Sequence, residues 1–346
     1  MFAPDRPLPR AIIFSCSGLT LTDEEIRFFT ESDPLGLILF GYNCDSPDQL
    51  KTLISSFREA VGRADAPILI DQEGGRVTRL KDPHWRHPPP AAVFAEAAAE
   101  DLEGACTLAR TNARLMARDL IALGITVDCA PVVDVPVSGA HDIIGDRALG
   151  QDPHMIATLG RAVCDGLLDE GVSPVIKHMP GHGRARADSH KDLPRVSESI
   201  ELLEKTDFKP FRLLSDMPYA MTAHIVFDAI DAERPATVSS RVIKEIIRGA
   251  IGFDGVVLSD DIGMEALSGT PAQRAKAVIE AGCDVVLECW GKLDVMQSIA
   301  LEVPRLSDAS AERLVRAEAM RLARQADAPP LAKEALSDLN RLIDQA

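Results

Sequence analysis

Short runs of aliphatic and β-branched residues recur along the chain and alternate with longer segments of helical periodicity. The runs at 11–17, 36–42, 67–72, 126–135, 174–179, 219–227, 255–260 and 284–290 read as strands. They are apolar without strict alternation, the pattern of strands covered on both faces in a parallel sheet. The segments between them carry helix signals. Thr22 and Glu25 form a capping box ahead of EEIRFFTES. Ser46, Pro47 and Gln49 open a second helix with proline at its first position. Asp101 opens a long helix to about Gly124, and Asp152 opens another closed by Gly171. Ser240 precedes RVIKEIIRGAIG, closed by Gly252, and helical stretches at 309–326 and 331–345 finish the chain. The proline-rich segment 81–94 predicts a surface loop after the third strand.

Eight strands alternating with helices predict the α/β class: a single (β/α)8 TIM barrel spanning 1–346, with extra C-terminal helices from about 307 packed on it. A doubly wound open sheet is the alternative. It would carry a glycine-rich loop after the first strand, and SGLT is not one. In a barrel the functional groups stand at the C-terminal strand ends, and several of these strands end in polar clusters. The third ends in DQEGGRVTRL, read as supplying one carboxylate, Asp71, and the guanidiniums of Arg76 and Arg79. The fourth ends in Asp134, the fifth in Lys177-His178, the sixth carries His224, and the seventh ends in Asp260-Asp261. Such convergence suits a ligand rich in hydroxyls. A buried lysine at position 177 implies a carboxylate or ligand beside it.

KHMPGHGRARADSH (177–190) reads as a loop folded over the barrel mouth. In it Asp188 can orient the imidazole of His190, the arrangement of a carboxylate behind a general base. A surface pair is the plainer account, and H-x3-H-x7-H leaves a zinc reading open without carboxylate spacing to support it. Asp260 can attack an electrophilic carbon or bind a metal, or it can serve as a helix N-cap, a part that Asp261 can also play. Arg147 in GDRALG is either a ligand contact or a loop ion pair.

Charge and cysteines narrow the partners. A net charge of -16 sets the chain against phosphate backbones and anionic membranes, so neither nucleic acid nor a membrane is expected as a partner. Seven scattered cysteines without a CxxC pair fit a reducing compartment. The N-terminal apolar run is short, includes Asp5 nearby and lacks a cleavage pattern, and no stretch is long enough to span a bilayer. The expectation is a cytoplasmic enzyme, monomeric or a weak homo-oligomer.

Taken together these segments resemble glycoside hydrolase family 3, in its single-domain, NagZ-type β-N-acetylhexosaminidase branch. KHMPGHGRARADSH is similar to the signature K-H-F-P-G-H-G-x4-D-S-H, with Met179 in place of phenylalanine. GFDGVVLSDDIGM resembles the nucleophile segment, DQEGGRVTRL matches DQEGGRV-x-R, and GDRALG diverges from the usual G-E-R-S-Y. The resemblance implies Asp260 as nucleophile, His190 as general acid/base and Asp188 as its partner. It implies Asp71, Arg79, Arg147, Lys177 and His178 as sugar-binding residues, with no metal and no cofactor. It also implies a retaining exo-β-N-acetylglucosaminidase acting on terminal β-1,4-linked N-acetylglucosamine of small amino-sugar muropeptide fragments, in peptidoglycan recycling. Three readings stay open beside it: the same chemistry with phosphate as acceptor, a metal-dependent barrel hydrolase, and a sugar-binding barrel without turnover.

Overall fold

The computed structural model describes residue 2, residues 6–185 and residues 193–345. Its strands are β1 (Arg10–Phe14), β2 (Pro34–Leu39), β3 (Ile68–Ile70), β4 (Val127–Asp128), β5 (Ser173–Met179), β6 (Arg195–Val196), β7 (Tyr219–Thr222), β8 (Val226–Phe227), β9 (Val256–Asp261) and β10 (Val285–Leu287). Eight of them close a parallel barrel in the order β1-β2-β3-β4-β5-β7-β9-β10, with β1 pairing both β2 and β10. Closure excludes the doubly wound open sheet. Each of the eight lies within two residues of a strand expected at that place.

The helices are α1 (Asp23–Ser32), α2 (Pro47–Ala60), α3 (Ala91–Ala98), α4 (Leu102–Leu123), α5 (Pro153–Asp169), α6 (Ile200–Lys205), α7 (Lys209–Leu213), α8 (Pro271–Ala281), α9 (Leu293–Glu302), α10 (Asp308–Ala326) and α11 (Lys333–Gln345). A π-helix runs over Val242–Ala250. The capping box of α1 forms as read: Thr22 accepts from the Glu25 amide, and the Glu25 carboxylate accepts from the Thr22 amide. Ser46, Asp101 and Asp152 cap α2, α4 and α5 with their side chains. Gly124 ends α4 at φ 91°, where a side chain would be strained.

Several expectations are corrected. The fourth run pairs regularly only at Val127–Asp128, because Pro131 lacks an N–H to continue the ladder. Residues 130–133 still bond irregularly to β5, as from the Val133 amide to the Lys177 carbonyl at 2.9 Å. The sixth run divides: β7 ends at Thr222, and Val226–Phe227 pairs instead with β6 outside the barrel. The segment 81–94 is not wholly a surface loop, since Trp85 is buried and α3 begins at Ala91. Ser239, not Ser240, caps the helix after it, accepting from the Val242 amide at 3.2 Å. Helices α3, α6, α7, α8 and α9 have no counterpart in the sequence reading. For α8 the signal was present, a Thr270–Gln273 capping box closed by Gly282 at φ 106°.

The aromatic rings of Phe14, Phe28, Phe29 and Phe57 join α1 and α2 to the barrel, with centroids 5.2 to 5.4 Å apart. Burying each such ring contributes about 2–3 kcal/mol. At the chain's end α10 is tied down through Ser310 and Arg313 to Asp284 at 2.7 and 2.9 Å, and through Arg321 to the Gly171 carbonyl at 2.8 Å. No helix among the described residues is long and apolar enough to cross a membrane.

Candidate active site

The C-terminal strand ends open into a cavity of about 340 Å³ walled by residues from β2, β5, β7, β9 and β10, by the segment after β3 and by the long loop after β4. Asp71, Arg79, Arg147, Lys177, His178 and Asp260 all line it. The structure therefore brings together six of the eight residues singled out from sequence. Asp188 and His190 lie outside the described residues.

Lys177 stands in β5 with its side chain almost fully buried, and its ammonium bonds to Asp71 at 2.8 Å and Glu73 at 2.7 Å. The sequence-level inference of a carboxylate partner is thus met twice over. Arg79 adds a second contact to Asp71 at 3.2 Å, and its guanidinium lies 5.2 Å over the Phe40 ring. Arg147 grips Glu73 with two hydrogen bonds of 2.7 and 2.8 Å. Its loop is held in turn by Arg76, which pairs with Asp146 at 2.9 Å and donates to the carbonyls of 142–144. Reading the third strand end as one carboxylate was wrong: Glu73 completes a chain of alternating charge from Arg79 through Asp71, Lys177 and Glu73 to Arg147. Its position two residues after Asp71 was the available signal, because side chains two apart in an extended chain share a face.

Burial pushes the carboxyls of Asp71 and Glu73 upward, but the Lys177 ammonium and the guanidiniums of Arg79 and Arg147 outweigh it. Asp71 ends below the usual carboxylate range and Glu73 at about 2. Lys177 is raised for the complementary reason: burial lowers it, and Asp71 and Glu73 more than compensate.

His178 is oriented by Asp134, whose carboxylate meets its Nδ1 at 2.7 Å and also accepts from the backbone amides of His178 and His182. A carboxylate with depressed pKa can only accept, so Nδ1 carries the proton and Nε2 is the ring nitrogen left for a ligand. His224 sits deeper, with Nε2 2.9 Å from the Asp261 carbonyl and Nδ1 2.7 Å from the Thr237 hydroxyl. A carbonyl accepts, so Nε2 is the donor. Burial lowers the ring's pKa, and Nδ1 faces the Thr237 hydroxyl, which also meets the Ala223 carbonyl at 3.0 Å.

Asp260 ends β9 and reaches the cavity between these groups. Burial raises its carboxyl, while His224, His178, the Asp261 amide at 2.8 Å and Lys177 lower it further, so it is anionic at neutral pH. Asp261 is no helix cap. Its carboxylate accepts from the amides of Gly263 and Cys289 and from the Trp290 indole at 2.8 Å, joining the loops after β9 and β10. Arg184, in the segment after β5, turns toward Asp207 at 2.7 Å and Thr206 at 3.1 Å.

Glu288 follows β10 and is buried, its carboxyl accepting from the amides of Trp290 and Gly291 at 3.0 and 3.4 Å. Burial first, then Asp261, push it up to about 7. A carboxyl raised in the folded state binds its proton more tightly there, so its effect on stability turns unfavourable as pH rises from the unfolded value toward about 7. Glu288→Gln is expected to stabilise the protein at pH 8 and leave it unchanged at pH 4, read from urea unfolding midpoints. An equal shift at both pH values would remove this account.

A closed parallel barrel whose mouth presents an anionic carboxylate among polar side chains, in a cavity of about 340 Å³, fits the glycosidase class. The model of the glycosyl hydrolase family 3 N-terminal domain matches residues 21–324, and the chain belongs to that family. A β-hexosaminidase of Alkalilimnicola ehrlichii is 38% identical over 309 residues, 88% of this chain and 87% of its own. The structure of NagZ from Neisseria gonorrhoeae in complex with N-trifluoroacetyl-D-glucosamine aligns at a TM-score of 0.85 and 30% identity over 98% of both chains. A family 3 β-N-acetylglucosaminidase from Paenibacillus sp. str. FPU-7 aligns at 0.82 and 31% identity, covering 96% of this chain and 66% of that one. The chain is a glycoside hydrolase of the β-hexosaminidase group.

Proposed function

We propose that the protein is a retaining, exo-acting β-N-acetylglucosaminidase. It releases terminal β-1,4-linked N-acetylglucosamine from muropeptide-type cell-wall fragments in the cytoplasm, as part of peptidoglycan recycling, and works as a monomer or weak homo-oligomer. The observation that carries the reading is the Asp260 carboxylate, held anionic and facing a cavity whose other walls offer Asp71, Arg79, Arg147, Lys177 and His178. A volume of about 340 Å³ is at the small end of ligand pockets and suits one sugar residue, hence action at a chain end.

Asp260 attacks the anomeric carbon as the glycosidic C–O bond breaks, and the departing oxygen takes a proton from His190. The imidazole, oriented by Asp188, then takes a proton from the water that displaces Asp260, so configuration is retained. These two roles rest on the D-S-H signature. Nε2 of His178 and the charged chain through Lys177 supply donors and acceptors to the sugar hydroxyls. The binding groups in this chain are paired with one another before substrate arrives, so little ordering is needed on binding.

A 5-fluoro N-acetylglucosaminyl fluoride is expected to add one glycosyl unit to the intact mass, localised to the peptide bearing Asp260. In phosphate-free buffer with chelator, the first product from an aryl N-acetyl-β-glucosaminide is expected to be the β-anomer by proton NMR. An α-anomer, a need for phosphate, or loss of turnover in chelator would overturn the mechanism.

A further inference from the structure

Of the two tryptophans and two tyrosines in the chain, Trp85 and Tyr219 are buried, while Tyr42 and Trp290 are 48% and 55% exposed. Both exposed rings stand at the barrel mouth, after β2 and β10, the two strands that flank β1. They are one contact apart: the Tyr42 hydroxyl donates to the carbonyl of Cys289, which precedes Trp290, at 3.2 Å. On one side Phe40 stacks against Tyr42 at 6.0 Å and 9°, and Phe40 and Cys289 are both in the wall of the catalytic cavity. On the other side Trp290 borders a second recess of about 370 Å³, separated from the first by Met264, which lines both.

Trp290 is also held in place. Its Nε1 donates to Asp261, and the Lys292 ammonium lies 5.8 Å over its ring. Gly263 packs so close to its edge that a Cβ there would overlap the indole. A rigid aromatic surface left open beside a sugar cavity is suited to a ligand with a flat apolar face and a polar rim.

We propose that Tyr42 and Trp290 form a platform for the leaving-group side of the substrate, a second pyranose ring whose C–H face packs on them. This rests on the β-N-acetylglucosaminidase reading above. The ring sits outside the catalytic cavity, so the platform selects substrates without entering the chemistry. Each aromatic face contributes about three- to tenfold in kcat/KM toward a disaccharide.

The test compares N,N′-diacetylchitobiose, which has a second ring, with methyl N-acetyl-β-glucosaminide, which has none, following released N-acetylglucosamine. Trp290→Ala and Tyr42→Ala are expected to lower kcat/KM on chitobiose about three- to tenfold, mainly through KM. Both are expected to leave the methyl glycoside within about twofold. Trp290→Phe keeps a ring face but not the Nε1 bond, and is expected to retain most of the disaccharide rate. Equal losses on both substrates, no loss on either, or a Trp290→Phe variant as poor as Trp290→Ala overturns the platform while the activity stands. A wild type that cleaves neither glycoside overturns the reading of the activity, and the platform with it.

Discussion

Asp260→Asn is expected to lower kcat/KM on 4-nitrophenyl N-acetyl-β-glucosaminide by about 10³-fold or more, equivalent to at least ~4 kcal/mol of transition-state stabilisation. The amide has nearly the shape of the carboxylate and can still accept from the Asp261 amide, so the wall of the cavity is retained. What it lacks is the anionic lone pair that the proposed mechanism directs at the anomeric carbon. His224, His178, the Asp261 amide and Lys177 hold its carboxyl below the usual carboxylate range against burial, so the proposed nucleophile needs no deprotonation at neutral pH. The fall should appear in kcat, with the melting temperature close to wild type. Asp260→Gly opens space for a small anion, and added azide is expected to restore turnover of the aryl glycoside and yield a glycosyl azide of inverted configuration. Retention of a tenth or more of wild-type activity in Asp260→Asn would place the nucleophile elsewhere.

Lys177→Met is expected to produce the largest loss of stability at the site. Its ammonium is shared between Asp71 and Glu73, and methionine leaves both carboxylates inside the protein with one partner fewer. Removing one member of a buried ionic cluster costs about 3–5 kcal/mol, because the remaining charges stay desolvated. Arg79 and Arg147 still hold Asp71 and Glu73, which sets the expectation toward the lower end. The dependence on pH carries the sign. Asp71 and Glu73 have folded-state values below their ordinary ones, so the stability they contribute is present above the carboxylate range. It is lost as pH falls through the folded values, about 2 for Glu73. The difference between wild type and Lys177→Met in urea unfolding should therefore be large at pH 7 and narrow toward pH 2. Adding Asp71→Asn and Glu73→Gln to Lys177→Met should recover much of the loss, because no unpaired charge then remains. A Lys177→Met protein as stable as wild type at pH 7 would refute the assignment of that cluster as buried and mutually dependent.

The barrel was legible in the sequence because its two periodicities differ. Strands covered on both faces show as unbroken apolar runs, and helices with one wet face show as 3.6-residue stripes closed by Thr22–Glu25, Asp101 and Gly124. The site was legible where a residue's chemistry cannot be satisfied locally. A lysine within an apolar strand needs a carboxylate from elsewhere, and Lys177 has two. Sequence alone did not decide which neighbours would meet. Glu73 and Arg147 are 74 residues apart and join only because Arg76 folds the loop after β4 back over β3. Asp134 becomes the orienter of His178 because the chain beyond β4 runs irregularly beside β5 past Pro131. Asp261 reads as a helix cap until the approach of β10 brings Cys289 and Trp290 onto it. Local pattern fixes elements because propensity and burial act over a few residues. Partners across a barrel are fixed by closure, register and loop paths, which emerge only when all eight strands are in place.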